Sequence, residues 1–144
     1  MQPKLSAKEI EALLEREFPQ VFRPGSGLSV EHVEFGLARV RQTFDPGQIR
    51  PGGTISGPTM MALADFAMYV VVFSLAGNQP LAVTTNLNIN FLSKAPAGHD
   101  VIAEARLMKL GKRLAVGDIA LFSAAGSDLV AHATSTYSIP PKRD

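Results

Sequence analysis

The run from Thr59 to Ala76, TMMALADFAMYVVVFSLA, limits this chain's possible folds more than any other stretch. Met60, Met61, Leu63, Phe66, Met68, Val70, Val71, Val72 and Phe73 leave no polar stripe at helical spacing. A helix apolar nearly all round must be covered on most of its sides. The flanking residues fit a helix from about Pro58 to Leu75. Pro58 suits the first turn, where its missing N–H costs nothing, and Gly77 with Asn78 suits the C-terminal end. One charge interrupts the run, Asp65. A carboxylate in such surroundings is costly to bury and calls for a partner or a task.

The rest of the chain supplies a cover. Leu81–Leu92 alternates, with Leu81, Val83, Thr85, Leu87, Ile89 and Phe91 on one face and Ala82, Thr84, Asn86, Asn88 and Asn90 on the other. Val101–Lys109, Leu114–Ser123 and Leu129–Ile139 read as three further strands. A turn at Leu110–Lys112 and a connection around Ala125–Asp128 join them. Upstream, Val30–Phe44 reads as a strand with a bulge or bend at Gly36. Hairpin connections imply a mainly antiparallel sheet, and one apolar helix laid on it gives an α+β architecture. Residues 6–18 predict a separate helix, with Ser6 and Glu9 forming a capping box and Ile10, Leu13, Leu14 and Phe18 a narrow apolar stripe. This helix is expected to pack on the outside of a core formed elsewhere.

At 144 residues the chain is expected to be one domain over 1–144, with residues 1–22 as an N-terminal helical extension. With 46% hydrophobic and 19% charged residues it is a globular composition. A net charge of +1 and the absence of tryptophan give no nucleic-acid signature. There is no cysteine, which excludes disulfides, thiolate metal sites and a thiol nucleophile. The N-terminus has no apolar signal region, and Phe66–Ala76 falls well short of the roughly 20 residues that span a bilayer. The expectation is a cytoplasmic protein with no membrane partner.

Three features converge at the start of the long helix. The turn containing Pro51, Gly52, Gly53, Ser56, Gly57 and Pro58 delivers the helix N-terminus, where free N–H groups favour a developing oxyanion. Asp65 lies about two turns along, and Thr54 and Ser56 supply hydroxyls nearby. The turn and the aspartate also have plainer readings, a simple turn and a carboxylate paired with arginine or backbone, and the row Asn86, Asn88 and Asn90 reads as a solvated or interfacial face. No GxGxxG, Walker-type loop or GxSxG elbow is present. His32, His99 and His132 are isolated from one another and read as surface or strand residues rather than zinc ligands. Lys94, Lys109, Lys112, Arg113, Lys142 and Arg143 fall in turns and the tail.

SGPTMMALADFAMYV, LAVTTNLNINFLSKAPAG, GKRLAVGDIALFS and LVAHATSTYSI together resemble hotdog-fold acyl-CoA thioesterases of the phenylacetate-degradation (PaaI-like) type, over roughly residues 30–139. Members show His-Gly-Gly, six residues, then Asp; here Ser56-Gly57-Pro58 precedes Asp65 at that spacing. The resemblance implies a five-stranded antiparallel sheet wrapped round the helix. It also implies a homodimer or homotetramer with sites at the subunit interface, an acyl-CoA substrate and no cofactor. Gly57 N–H would polarise the thioester carbonyl, Asp65 of the partner subunit would act as general base or nucleophile, and Thr84 would hold water or the carboxylate. Ser56, Pro58 and Asn86 would lie against substrate, and Lys94 and Arg113 are candidates for CoA contacts. The sequence departs from the pattern at Ser56 for His, Pro58 for Gly, and Arg50 where many members carry Asn. Arg50 could neutralise Asp65 or bind a carboxylate or phosphate. These departures motivate a second reading, a non-catalytic acyl-CoA or acyl-chain binding protein on the same fold. A dehydratase or hydratase ranks below both, because no histidine lies near Asp65 in sequence.

Overall fold

The computed structural model describes residues 1–141; Lys142 and Arg143 of the basic tail lie outside the described residues. Helix α1 (Ala7–Glu17) begins at Ser6, whose hydroxyl and Glu9 form the expected reciprocal cap. Strands β1 (Leu28–Glu34) and β2 (Leu37–Gln42) follow. A 3₁₀ turn at Pro46–Gln48 then leads to the short pair β3 (Ile49–Arg50) and β4 (Thr54–Ile55). Next come the long helix α2 (Gly57–Ala76) and strands β5 (Val83–Phe91), β6 (Val101–Leu110), β7 (Leu114–Ser123) and β8 (Leu129–Ser138).

The main sheet has the order β1-β2-β6-β7-β8-β5, antiparallel throughout. Its six strands correct the expected five. The extra strand comes from Gly36, which does not bend one long strand but reverses it. With φ at +77° it takes a conformation that side chains disfavour, and Glu34 pairs with Leu37 across it.

Every residue of α2 from Phe66 to Leu75 is buried, as an apolar circumference requires. The sheet face beneath it is built from small and branched residues, Ala38, Val40, Ala103, Ala105, Ile119, Leu121, Ala131 and Ala133, all fully buried. At 20 residues α2 is itself long and apolar enough to cross a bilayer, contrary to the expectation from its shorter apolar run. With 72% of its most apolar window buried, that apolar surface is already spent on the core. Helix α1 seals one flank. Ile10 and Leu14 are fully buried, Phe18 packs on Tyr69 at 5.5 Å between ring centroids, and Phe22 stacks on Phe66 at 6.0 Å.

The loop that carries the chain towards α2 is pinned at its root. Asp100 accepts from Phe44 N–H at 2.7 Å and from Arg41 Nη1 at 3.0 Å. Those bonds, the backbone one foremost, hold its carboxyl below the ordinary aspartate range.

The first half of α2 is different. Pro58, Met61 and Ala62 are exposed and Asp65 is only partly covered. The spacing i, i+3, i+4, i+7 places all four on one stripe. Beside them β5 forms a sheet edge, paired on one side only among the described residues.

Candidate active site

Asp65 comes from that uncovered stripe, about two turns into α2. Its Oδ1 accepts from Thr84 Oγ1 at 2.6 Å and lies 2.8 Å from the Tyr137 hydroxyl. The same phenol is 3.0 Å from the backbone carbonyl of Asp65. Both donors thus meet one carboxylate oxygen, and Oδ2 has no hydrogen-bond partner among the described residues. The residues stand at a surface depression of about 350 Å³ that also includes Glu17, Phe18 and Tyr69. Burial, and secondarily the Glu17 charge, push the Tyr69 phenol up to about 12.

Thr84 reaches Asp65 because β5 is bulged. The register shifts between Thr84 and Asn86, so Thr84 pairs with Tyr137 and shares its inward face. Past the bulge, Leu87, Ile89 and Phe91 face inward opposite Ser135, Ala133 and Ala131. Asn86, Asn88 and Asn90 pair with Thr136, Thr134 and His132 on the outer face. The unbroken alternation expected from the sequence put Thr84 with the asparagines; the extra residue at Thr85 moves it to the other face. Asn86 therefore does not stand beside Asp65.

The turn before α2 gathers a second group. Arg50, Gly57, Phe91 and Lys94 border a separate depression of about 240 Å³. Gly57 is the first residue of α2 and has no i−4 carbonyl within the helix to accept its N–H. Ser56 is the helix N-cap: its Oγ accepts from Thr59 N–H at 3.3 Å and lies 2.8 Å from Thr59 Oγ1. That cap is worth about 1 kcal/mol to the helix, and it gives Ser56 a structural task beside the ligand contact expected of it. Pro58 is exposed at the second helical position. Arg113 joins neither group. It lines a depression with Leu75, Ala76 and Lys112 at the opposite end of α2.

The two groups do not meet within one chain. Asp65 is eight positions on from Gly57, about 12 Å along the helix axis at 1.5 Å per residue. An N–H and a carboxylate that far apart cannot both touch one carbonyl group. Tyr137 was not among the residues singled out from sequence. A tyrosine ending an alternating strand is ordinary, and only the fold brings it 72 positions back to Asp65.

The sequence model of the Thioesterase superfamily matches residues 52–130. A candidate esterase from Saccharolobus solfataricus is 32% identical over 137 residues, 95% of this chain and 87% of that protein. Among solved structures, a candidate thioesterase from a Silicibacter species is 40% identical. The match covers 98% of this chain and 96% of that one with a TM-score of 0.86. A mutant of the phenylacetic acid degradation protein PaaI from Thermus thermophilus is 28% identical, with a TM-score of 0.70 over 79% of this chain and 94% of that one.

Proposed function

The chain belongs to the thioesterase superfamily, a membership that supports thioester hydrolysis as its reaction, and on that premise we propose that it hydrolyses an acyl-CoA thioester to the free acid and CoA at a site shared between two subunits. One observation carries this reading. Asp65 has one oxygen tied by two hydroxyls and the other free, yet the helix N-terminus that would bind an oxyanion is two turns away on the same chain.

A two-fold axis near Met61 brings the parts together. Met61 lies midway between Gly57 and Asp65, so two antiparallel α2 helices crossing there set Gly57 of one chain against Asp65 of the other. The surface needed is uncovered and apolar: Met61 is 41% exposed, and Val83, Phe91 and Leu92 on or beside the β5 edge are 55%, 49% and 57% exposed. Pairing of β5 with its copy occupies the sheet edge in the same step.

In the assembled site, Gly57 N–H donates to the thioester carbonyl oxygen. Oδ2 of the partner's Asp65 takes a proton from water, and the hydroxide attacks the carbonyl carbon. The C–S bond breaks, and the CoA thiolate leaves and takes up the proton held by Asp65, which restores the carboxylate. Arg50 and Lys94, on the Gly57 side, are placed to attract the phosphates of CoA. Arg113 is not needed there.

The test is hydrolysis of a panel of short-chain, medium-chain and aryl acyl-CoA esters, followed by thiol release. Turnover of at least one ester supports the proposal. Stoichiometric CoA-ester binding without turnover sinks it in favour of the binding-protein reading. The interface makes its own prediction. Met61→Glu buries a charge at the two-fold axis, so self-association measured by sedimentation weakens about tenfold or more, and turnover is lost with the dimer. A wild-type chain that sediments as a fully active monomer is incompatible with a shared site.

A further inference from the structure

Asp65 has a second hydroxyl partner besides Thr84, the phenol of Tyr137. Tyr137 sits on β8 with 2% of its surface exposed. Its ring packs edge-on against Tyr69 at 6.2 Å between centroids, which is ordinary core packing. Its hydroxyl is another matter, since it reaches both Oδ1 and the backbone carbonyl of Asp65, 2.8 and 3.0 Å away. A phenol has one proton to share between them, and both acceptors belong to the same residue.

We propose that Tyr137 is a positioning residue that fixes Asp65, with Thr84, by donating to Oδ1 so that Oδ2 alone is presented to water. This rests on the acyl-CoA hydrolysis reading above. A carboxylate on a helix turns about χ1 and χ2, and in two-fold fashion about χ2 its oxygens exchange places. A single donor restrains that exchange poorly. Two donors arriving from neighbouring strands at one oxygen restrain both torsions. They also consume the acceptor capacity of Oδ1 and leave that of Oδ2. Because Tyr137 touches the backbone oxygen as well, it fixes the side chain relative to the helix itself. Burial, and then the Asp65 charge, push the Tyr137 phenol well above the ordinary tyrosine range, which keeps its proton in place. Thr84 and Tyr137 are register partners, so the bulge in β5 brings Thr84 onto the face where Tyr137 stands.

Tyr137→Phe keeps the ring and deletes only the hydroxyl. Steady-state hydrolysis is measured for wild type, Tyr137→Phe, Asp65→Asn and the double variant, with sedimentation to check assembly. We expect kcat to fall about tenfold in Tyr137→Phe, the effect of one hydrogen bond to a charged group, with KM within about twofold. In the Asp65→Asn background the same change should leave the residual rate within about twofold, because no base remains to orient. A wild-type kcat in Tyr137→Phe overturns the inference, and so does an equal loss in both backgrounds, which marks a structural role. A wild type that hydrolyses no acyl-CoA ester overturns the functional reading and this inference together. Activity abolished by Asp65→Asn but untouched by Tyr137→Phe overturns this inference alone.

Discussion

Asp65→Asn is expected to lower kcat towards acyl-CoA esters by about a thousandfold, within the 10²–10⁴ range for loss of a general base. The substitution isolates the chemistry from the architecture. Asparagine has nearly the shape of aspartate, and its carbonyl oxygen can still accept from Thr84 and Tyr137. What changes is the atom at the free position, which becomes an amide nitrogen with no lone pair for a proton. Helix, sheet edge and the proposed dimer interface are left unchanged, so sedimentation and thermal melting should match wild type closely. Steady-state thiol release gives the rate. Activity within a few-fold of wild type would remove Asp65 from the mechanism.

Gly57→Leu tests the other half. A Cβ at this position would lie 3.2 Å from Phe91 Cζ, tighter than ordinary contact. Phe91 is 49% exposed and can give way at the first carbon, but a leucine must then fill the space in front of the helix N-terminus. That space is where the carbonyl oxygen is placed by the proposal. The N–H remains, but a carbonyl oxygen kept away from it loses that donor, which costs about 10²–10³ in kcat, and a fall of that size is expected here. The helix itself should persist, because its cap is made by Ser56 and not by Gly57. Near-wild-type turnover by a folded Gly57→Leu dimer would place the oxyanion site elsewhere.

How much of this could be read from the chain depends on which interactions are local. The all-round apolar run, the capping box at Ser6 and the hairpin turn after Leu110 are local, and each element stands where the pattern puts it. An α+β layering follows from them, with the antiparallel sheet available to cover a helix that has no polar face, while the hotdog arrangement itself is what the family resemblance implies. One glycine between two alternating segments fits a bulge and a tight reversal equally well, and only the pairing of Glu34 with Leu37 shows that Gly36 makes two strands of the segment. The β5 bulge had no signal at all: TTNLNINF alternates cleanly by residue type, and only pairing with β8 reveals the slipped register. That slip decides whether Thr84 meets Asp65. Ser56 has a local task that its place in the motif hides, since a serine before a helix is first of all a cap. Tyr137 was invisible for the opposite reason, since its partner is remote in sequence.

The central claim is that one active site takes Gly57 from one subunit and Asp65 from the other. Subunit complementation tests it most directly. Asp65→Asn and Gly57→Leu dimers, each inactive alone, are mixed, allowed to exchange chains and assayed. A heterodimer then holds one site with both wild-type groups and one with neither. Random exchange makes half the dimers mixed, so about a quarter of wild-type activity should return for a two-fold symmetric pair. No recovery after demonstrated exchange would mean that the two groups act within a single chain or not together, and would contradict the account.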